Sequence, residues 1–303
     1  MTDMTAALRQ PEARLGEPVN ARTRWRTGQL LVAVVVLVIG AQIVWGLITN
    51  RRLRWDVVGQ YLFSSTILDG LGLTIVLTVA SMAIGIVLGS LLALMRISSN
   101  PVLARASQLY IWFFRGTPLL VQMLFWAFAS AAFPTVSLGI PFGPVFVSWD
   151  TNTLISLFAA GLLALGLNEA AYVAEIVRAG IMSVDPGQLE AGQALGMTRR
   201  KLMSRIVARQ AMRIVIPPLG NATILMLKTT SLVFTIALPE LLTSAKIIYG
   251  NNFQQIPLLI VASIWYLALT TVLTFLQSRL EKRVGRGFSR SSRKTLPTRE
   301  ELV

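Results

Sequence analysis

Six long apolar segments follow one another along the chain, and they restrict its fold more than any other feature of the sequence. About 20 apolar residues, at roughly 1.5 Å per residue, cross the hydrocarbon core of a bilayer as an α-helix. A helix satisfies its own backbone hydrogen bonds inside lipid, so segments of this length favour helical spans. The predicted spans are residues 30–48, 71–95, 111–132, 154–176, 214–237 and 256–275.

The composition agrees with a membrane protein, because 54% of the residues are hydrophobic and only 14% are charged. We therefore predict an all-α, polytopic membrane protein. The first apolar segment is expected to be a retained helix rather than a secretory signal. It is longer than a typical signal core, and residues 46–50 lack a small-x-small cleavage site.

Lysine and arginine are distributed unevenly between alternate loops, which predicts the orientation of the spans. Most of them lie in the N-terminal tail, in the loops around Arg105 and 178–213, and in the C-terminal tail. Because positively charged loops stay in the cytoplasm, both termini and the 178–213 loop are predicted to be cytoplasmic in a bacterial plasma (inner) membrane. Arg51, Arg52 and Arg54 lie on the opposite side, against the rule.

The same distribution explains the formal net charge of +14 without nucleic acid as a partner. Topology alone accounts for the positions of most basic residues. The basic C-terminal tail, residues 281–303, would lie at the inner leaflet, where each basic residue gains about 1 kcal/mol from anionic lipid. Membrane lipid is therefore the expected partner of this tail.

Several kinds of chemistry have no residues to support them in this chain. The sequence contains no histidine and no cysteine, which excludes the usual zinc sites, thiol chemistry and imidazole catalysis. It also lacks the Gly-x-x-x-x-Gly-Lys-Ser/Thr motif that cradles nucleotide phosphates. We expect no metal, no cofactor and no catalytic residue, and any ATP hydrolysis would take place on another subunit.

The polar loop at 178–213 has the signals of a short, well-defined helix. Asp185 is placed to cap a helix with Pro186 at its first position, and Gln188 is placed to bond back to the cap. The helix would contain Leu195 near its end and stop at Gly196. Thr198 would then cap a second short helix over residues 199–206, which gives two helices at a corner.

The middle of the first helix has the properties of a docking element. Glu190, Ala191 and Gly192 combine a fixed charge with small residues. Small residues would let the backbone of a partner approach closely. A loop this well defined inside a membrane protein predicts a socket on another protein.

Several motifs together resemble the permease subunits of ATP-binding-cassette (ABC) importers, in the branch that takes up polar amino acids. The resemblance covers about residues 57–279. This chain departs from the usual pattern at Gly192, at Ala208-Arg209 and at Thr229, where many relatives carry Asp. The matching stretches are Glu190-Ala191-Gly192 followed by Gly196, Ile206 and Gln210-Ala211, then residues 114–122, 217–221 and 228–232.

The resemblance implies a five-helix permease core with one extra N-terminal transmembrane helix. The implied divisions are a cytoplasmic tail at 1–29, the extra helix at 30–48, the permease domain at 57–280 and the basic tail at 281–303. It also implies a pair of ABC ATPase subunits that bind ATP and receive the Glu190 helix. A second permease, identical or paralogous, and an extracytoplasmic solute-binding protein complete the expected assembly.

Polar residues inside the spans are the candidates for a substrate pathway, because buried charge in a bilayer requires compensation. Asn168, Glu169 and Tyr172 lie in the fourth segment, with Glu175 on the face of Asn168 and Tyr172. Asn221, Lys228 and Thr229 lie in the fifth.

Each candidate also has a structural interpretation. Lys228 would pair with Glu169 or Glu175, although an offset of roughly 9 Å in depth opposes direct pairing. The asparagines would bond across to neighbouring helices.

Two other functions fit parts of the sequence. A stand-alone channel or ion-coupled carrier would use the basic loop for regulation or lipid binding. A membrane-embedded enzyme would have few catalytic groups available. The outer loop at 133–153 would contact a solute-binding protein or form a lid over the pore mouth, and the sequence does not choose between these two roles.

Overall fold

The computed structural model describes residues 27–140 and 143–284. Most of the predicted N-terminal tail and most of the basic C-terminal tail lie outside these residues. Five helices in the described chain are long and apolar enough to cross a membrane. They are Gly28–Thr49, Ser65–Arg96, Leu157–Met182, Arg199–Ile236 and Gln255–Val284.

The chain divides into two compact units, and the boundary follows Leu53. The described part of the first unit is a single apolar helix, α1 (Thr27–Thr49), followed by a 3₁₀ turn (Arg51–Leu53). Thr49 donates its hydroxyl to the carbonyl of Trp45 at 2.7 Å, which satisfies one carbonyl of the last turn. This helix corresponds to the predicted extra N-terminal span.

The second unit, from Arg54, contains the remaining elements. Its first half consists of α2 (Trp55–Tyr61), α3 (Ser65–Arg96), α4 (Pro101–Gly116), α5 (Leu119–Ala127), α6 (Ala129–Ala132), β1 (Thr135–Gly139), β2 (Val145–Asp150) and α7 (Thr151–Leu154). Its second half consists of α8 (Leu157–Met182), α9 (Pro186–Ala194), α10 (Arg199–Leu202), a π-helical turn (Met203–Val207), α11 (Ala208–Thr229), a 3₁₀ segment (Thr230–Ile236), α12 (Leu241–Asn252) and α13 (Gln255–Val284).

The centre of this unit is the contact between α3 and α8, which small residues make possible. A Cβ at Gly89 would lie 2.7 Å from both the carbonyl oxygen of Ala170 and the Cβ of Val173. A Cβ at Gly166 would lie 2.9 Å from Ile84. The spacing of Gly85 and Gly89 by four residues places both on one face, where small residues allow close packing of membrane helices.

The predicted third span, 111–132, is not one helix. It breaks between Gly116 and Leu119, where Thr117 is extended and Pro118 precedes α5. Proline disfavours a helical conformation in the residue before it and donates no backbone hydrogen bond, so the helix stops here. The prediction of one continuous span was therefore wrong at this point.

The predicted fifth span, 214–237, also changes character before its end. The α-helix stops at Thr229, and the chain continues as a 3₁₀ helix to Ile236. Ala237 then adopts a left-handed conformation with φ of 58°. The following helix α12 was not predicted, and neither was α2.

The loop at 133–153 contains a small antiparallel hairpin. Strand β1 pairs with β2, with Thr135 opposite Asp150 and Leu138 opposite Val147. All residues of both strands are exposed in this chain. The fold is nevertheless helical over most of each apolar span, as predicted.

Candidate coupling site and substrate pathway

The predicted cap of helix α9 is confirmed in its main features. Asp185 accepts a hydrogen bond from the backbone N–H of Gly187 at 2.6 Å, and Pro186 occupies the first helical position. Gln188 donates its backbone N–H to the Asp185 carbonyl at 3.0 Å, but among the described residues its side chain does not form the predicted bond back to the cap. The Asp185 carboxylate thus satisfies the first turn, where a negative charge also complements the helix dipole.

The end of α9 is also set by local sequence. Gly196 has a φ of +68°, and Met197 donates its N–H to the Gly192 carbonyl at 3.1 Å. This is the left-handed glycine ending that the sequence predicted. Thr198 then caps α10 by accepting from the Lys201 N–H at 3.5 Å.

The second helix of the corner differs from the prediction. Helix α10 does not stop near 206 but passes through the π-helical turn Met203–Val207 directly into α11. The corner therefore consists of one short helix, α9, and the beginning of a long membrane helix.

Helix α9 has one face against its own chain and one face open to solvent. Gly192 is buried, and a Cβ there would overlap the side chain of Leu202. Glu190 and Ala191 are exposed, and Leu195 is exposed over 81% of its surface. The expectation that Gly192 offers room to a partner was wrong, because its small size is used for packing within the chain.

Two of the candidate pathway residues hold helices together. Asn168 donates from Nδ2 to the Phe114 carbonyl at 2.8 Å and to Gln122 Oε1 at 3.3 Å. Gln122 in turn donates to Thr117 Oγ1 at 2.7 Å, so these side chains satisfy the backbone at the break between α4 and α5. Asn221 accepts a hydrogen bond from Gln277 on α13 at 2.9 Å.

The charged candidates Lys228 and Glu169 form no ion pair with the described residues. Within the described residues, the ion pairs are Arg178–Glu175 at 2.8 Å and Arg54–Asp56 at 3.2 Å, so Lys228 pairs with neither Glu169 nor Glu175. Lys228 is exposed in this single chain. The structural interpretation of Lys228 as half of an ion pair was therefore wrong.

The remaining candidates have contrasting surroundings. Glu169 Oε1 is buried and has no hydrogen-bond partner among the described residues. Tyr172 lies beneath the guanidinium of Arg115, 5.2 Å from the ring centre. Thr229 donates to the Leu225 carbonyl of its own helix at 2.9 Å. These contacts leave the carboxylate of Glu169 as the least satisfied polar group of the set.

A buried carboxylate that the sequence did not single out lies at the start of α12. Glu240 is fully buried and accepts hydrogen bonds from the Tyr266 hydroxyl at 2.7 Å, the Thr243 N–H at 3.0 Å and the Thr74 hydroxyl at 3.3 Å. The bonds tie α3, α12 and α13 together. The Pro239-Glu240 pair before an apolar run was the available signal for a helix start.

Metal chemistry receives no support from the side chains. Across residues 27–140 and 143–284, no group of three or more His, Cys, Asp or Glu residues is close enough to hold a metal ion.

The described chain is a bundle of long apolar helices with a capped, exposed helix, α9, between two of them, and this arrangement fits the class of membrane-embedded permease subunits. The chain belongs to the family described as binding-protein-dependent transport system inner membrane components, whose model matches residues 85–286. It is therefore a permease subunit of the inner membrane, and the predicted fold and transport function are confirmed at that level.

Named relatives and a solved structure agree with this assignment. The chain is 41% identical to the arginine transport system permease protein ArgU of Corynebacterium glutamicum, over 91% of this chain and 86% of the relative. It is 31% identical to the glutamine transport system permease protein GlnP of Escherichia coli, over 72% of this chain and 92% of the relative.

The solved structure is described as an amino acid ABC transporter with histidines. It matches with a TM-score of 0.63 and 36% identity, over 75% of this chain and 98% of the matched chain. These similarities favour the importer and lend no support to a stand-alone channel or carrier.

Proposed function

We propose that this chain is the transmembrane subunit of an ATP-driven amino-acid importer, and that the outward face of α9 couples it to a separate ATPase that binds the ATP. The observation that carries the proposal is the division of α9 into two faces. Gly192 fixes the helix against Leu202, while Glu190, Ala191 and Leu195 are exposed. A rigidly held helix with an exposed apolar end and a fixed charge fits a groove on a partner.

The assembly that follows has two permeases and two ATPases, with an extracytoplasmic binding protein that delivers the substrate. One permease presents one α9 helix, and a pair of ATPases offers two grooves. ATP-driven closure of the ATPases would move the permeases as rigid bodies between inward-open and outward-open states. Both termini and α9 lie in the cytoplasm in this arrangement, in keeping with the basic loops.

Arginine is the first substrate to test. The permease that is 41% identical to this chain is named for arginine transport. A basic amino acid carries a carboxylate at one end and a cation at the other. Lys228 would attract the carboxylate, and the unsatisfied Glu169 would attract the cation.

The proposal is tested by uptake of radiolabelled arginine into vesicles that contain the permease, its ATPase and its binding protein. Glu190→Lys is expected to reduce ATP-dependent uptake by about ten-fold or more, because charge reversal at a docking surface opposes association. Asp69→Lys reverses an exposed acid on α3, outside α9, and serves as the control. Normal uptake by the Glu190→Lys complex would exclude coupling through this face.

The pathway residues are tested by a second pair of variants. Lys228→Met is expected to weaken arginine uptake and to leave assembly intact, since it removes a cation that forms no ion pair with the described residues. Lys246→Met is the matched control, because Lys246 lies 4.3 Å from the ring centre of Phe234 and outside the proposed pathway. Equal uptake by both variants would remove Lys228 from the pathway.

A further inference from the structure

Three arginines on the same side of the π-helical turn and α11 line one groove beside α9. Arg205, Arg209 and Arg213 follow one another at intervals of four residues and are all exposed. The groove has a volume of about 790 Å³. A helix rises by about 6 Å over four residues, so the three side chains form a ladder roughly 12 Å long.

The positive charge of this groove is not neutralised by the protein. Within the part of the chain that the structure describes, the arginines of the ladder form no ion pair. Asp185 also lines the groove, but its carboxylate is bound to the N–H of Gly187 at the start of α9. Three guanidinium groups facing one carboxylate leave an excess of positive charge.

The groove is apolar as well as cationic. Ile206 and Ile214 line it together with the arginines. Arg213 directly precedes Ile214-Val215-Ile216, the apolar sequence at which the predicted fifth span begins. The upper end of the ladder therefore lies at the boundary between hydrocarbon and headgroups, and its lower end extends toward the cytoplasm.

We propose that this groove, which we name the arginine groove, binds the headgroup of an anionic phospholipid of the inner leaflet. The phosphate would lie between Arg209 and Arg213, because a headgroup layer is only about 5–7 Å deep on each side of a bilayer. Arg205 would reach the same phosphate from below with its long side chain. The isoleucines would contact the first part of an acyl chain.

This inference rests on the cytoplasmic orientation given under the proposed function. It adds a ligand that the importer assignment does not include. A basic pocket between membrane helices on the cytoplasmic side is a recognised type of site for anionic headgroups. Its position beside α9 would place a bound lipid next to the proposed contact with the ATPase.

The test uses the full-length permease in phosphatidylcholine vesicles with a small fraction of spin-labelled phosphatidylglycerol or spin-labelled phosphatidylcholine. Electron paramagnetic resonance measures the immobilised fraction of each probe. The wild type is expected to prefer phosphatidylglycerol. Each basic residue near an anionic surface contributes a factor of about five, so Arg209→Gln/Arg213→Gln is expected to reduce the preference by about 25-fold.

The matched control removes the same charge outside the groove. Arg105→Gln/Arg199→Gln changes two exposed arginines of the predicted cytoplasmic side and is expected to retain most of the preference. Arg209→Lys/Arg213→Lys keeps both charges and is also expected to retain it. An unchanged preference in the Gln variant, or an equal loss in the control, would overturn the proposal.

Two further measurements distinguish a lipid site from a site for free phosphate and from an interface with the ATPase. Suppression of the preference by inorganic phosphate would show a site for any phosphate, and displacement of the lipid probe by the ATPase would show a protein interface. Either result overturns the lipid assignment. Arginine uptake is measured separately, so a permease that selects phosphatidylglycerol without arginine import would contradict only the proposed function.

Discussion

The contact between α3 and α8 and the corner at α9 use glycine for opposite purposes. Along α3 and α8, Gly89 and Gly166 bring two membrane helices together over a long, buried interface. At the corner, Gly192 attaches one short helix to Leu202 and leaves the other side of the helix exposed. The first region is built to resist movement, and the second is built to present a surface.

The strongest test of this difference is Gly89→Leu. A side chain there would collide with the Ala170 backbone, which is fixed in α8, at a distance of 2.7 Å for the Cβ alone. Overpacking that shifts the backbone typically costs about 1–3 kcal/mol, and a leucine side chain, which is several methylenes larger than the glycine hydrogen, belongs at the upper end of that range. We expect loss of monodisperse protein in detergent, measured by size-exclusion chromatography.

Gly72→Leu is the control for that experiment, because no atom lies within 4 Å of a Cβ at Gly72. It places the same side chain on the same helix without a collision. Equal loss of folded protein in both variants would contradict the role given to the α3–α8 contact.

A second test asks whether the tightly packed region around α3 and α8 extends to α12 and α13. Glu240→Ala would leave the buried donors of Tyr266 and Thr243 without their acceptor, whereas the Thr74 hydroxyl keeps the Gly70 carbonyl at 3.0 Å. Unpaired buried groups cost about 1–3 kcal/mol each, so we expect the free energy of unfolding to fall by about 3 kcal/mol. Unfolding in mixed micelles measures the change.

Tyr266→Phe provides the smaller step in the same network. It removes a single donor and should cost about 1 kcal/mol. If Glu240→Ala costs no more than Tyr266→Phe, the carboxylate does not organise this junction.

The third test addresses the corner directly. In Gly192→Val, the new side chain would push against the movable end of Leu202, so α9 should loosen while the rest of the fold remains. We expect about ten-fold faster amide hydrogen exchange in α9 and little change in global unfolding, which corresponds to about 1.4 kcal/mol of local stability. Ala191→Val adds its methyl groups on the exposed face and should leave exchange in α9 as it is.

The smallest effect is expected where α8 approaches the corner. Glu175→Gln removes the ion pair with Arg178, which is partly exposed. Such a pair at i,i+3 contributes about 0.5 kcal/mol or less. A thermal unfolding curve that overlays the wild type would fit this expectation, whereas a large shift would place the pair among the rigid contacts.

The sequence predicted those parts of the corner that depend on near neighbours. The caps at Asp185 and Thr198 and the ending at Gly196 each involve residues within a few positions, so local rules were sufficient. Local rules could not predict that Gly192 packs against the chain itself and not against a partner. That contact involves Leu202, which follows after a turn of the chain.

Six spans were predicted, and five helices of the described chain are long and apolar enough to cross a membrane, because the predicted span 111–132 is divided among α4, α5 and α6. Hydrophobicity reports only that a segment fits lipid, and it does not distinguish an α-helix from a helix that breaks or tightens. Pro118 was a signal for the break at Thr117, but a hydropathy value averaged over the whole segment does not show it. The start of α12 at Glu240 was missed because its acceptor role depends on Thr74 and Tyr266, which are distant in sequence.

The uninterrupted path from the corner into the membrane has a mechanical consequence. From Arg199 to Thr229 the backbone stays helical through the π turn, over about 45 Å at 1.5 Å per residue. In the proposed importer, this helix would carry a movement of α9 toward the depth of Lys228 with no loop between them, and Pro217 and Pro218 are the positions within α11 where missing backbone hydrogen bonds allow it to bend. The proposed ATPase, and not the relaxation of a loop, would then set the timing of pore opening.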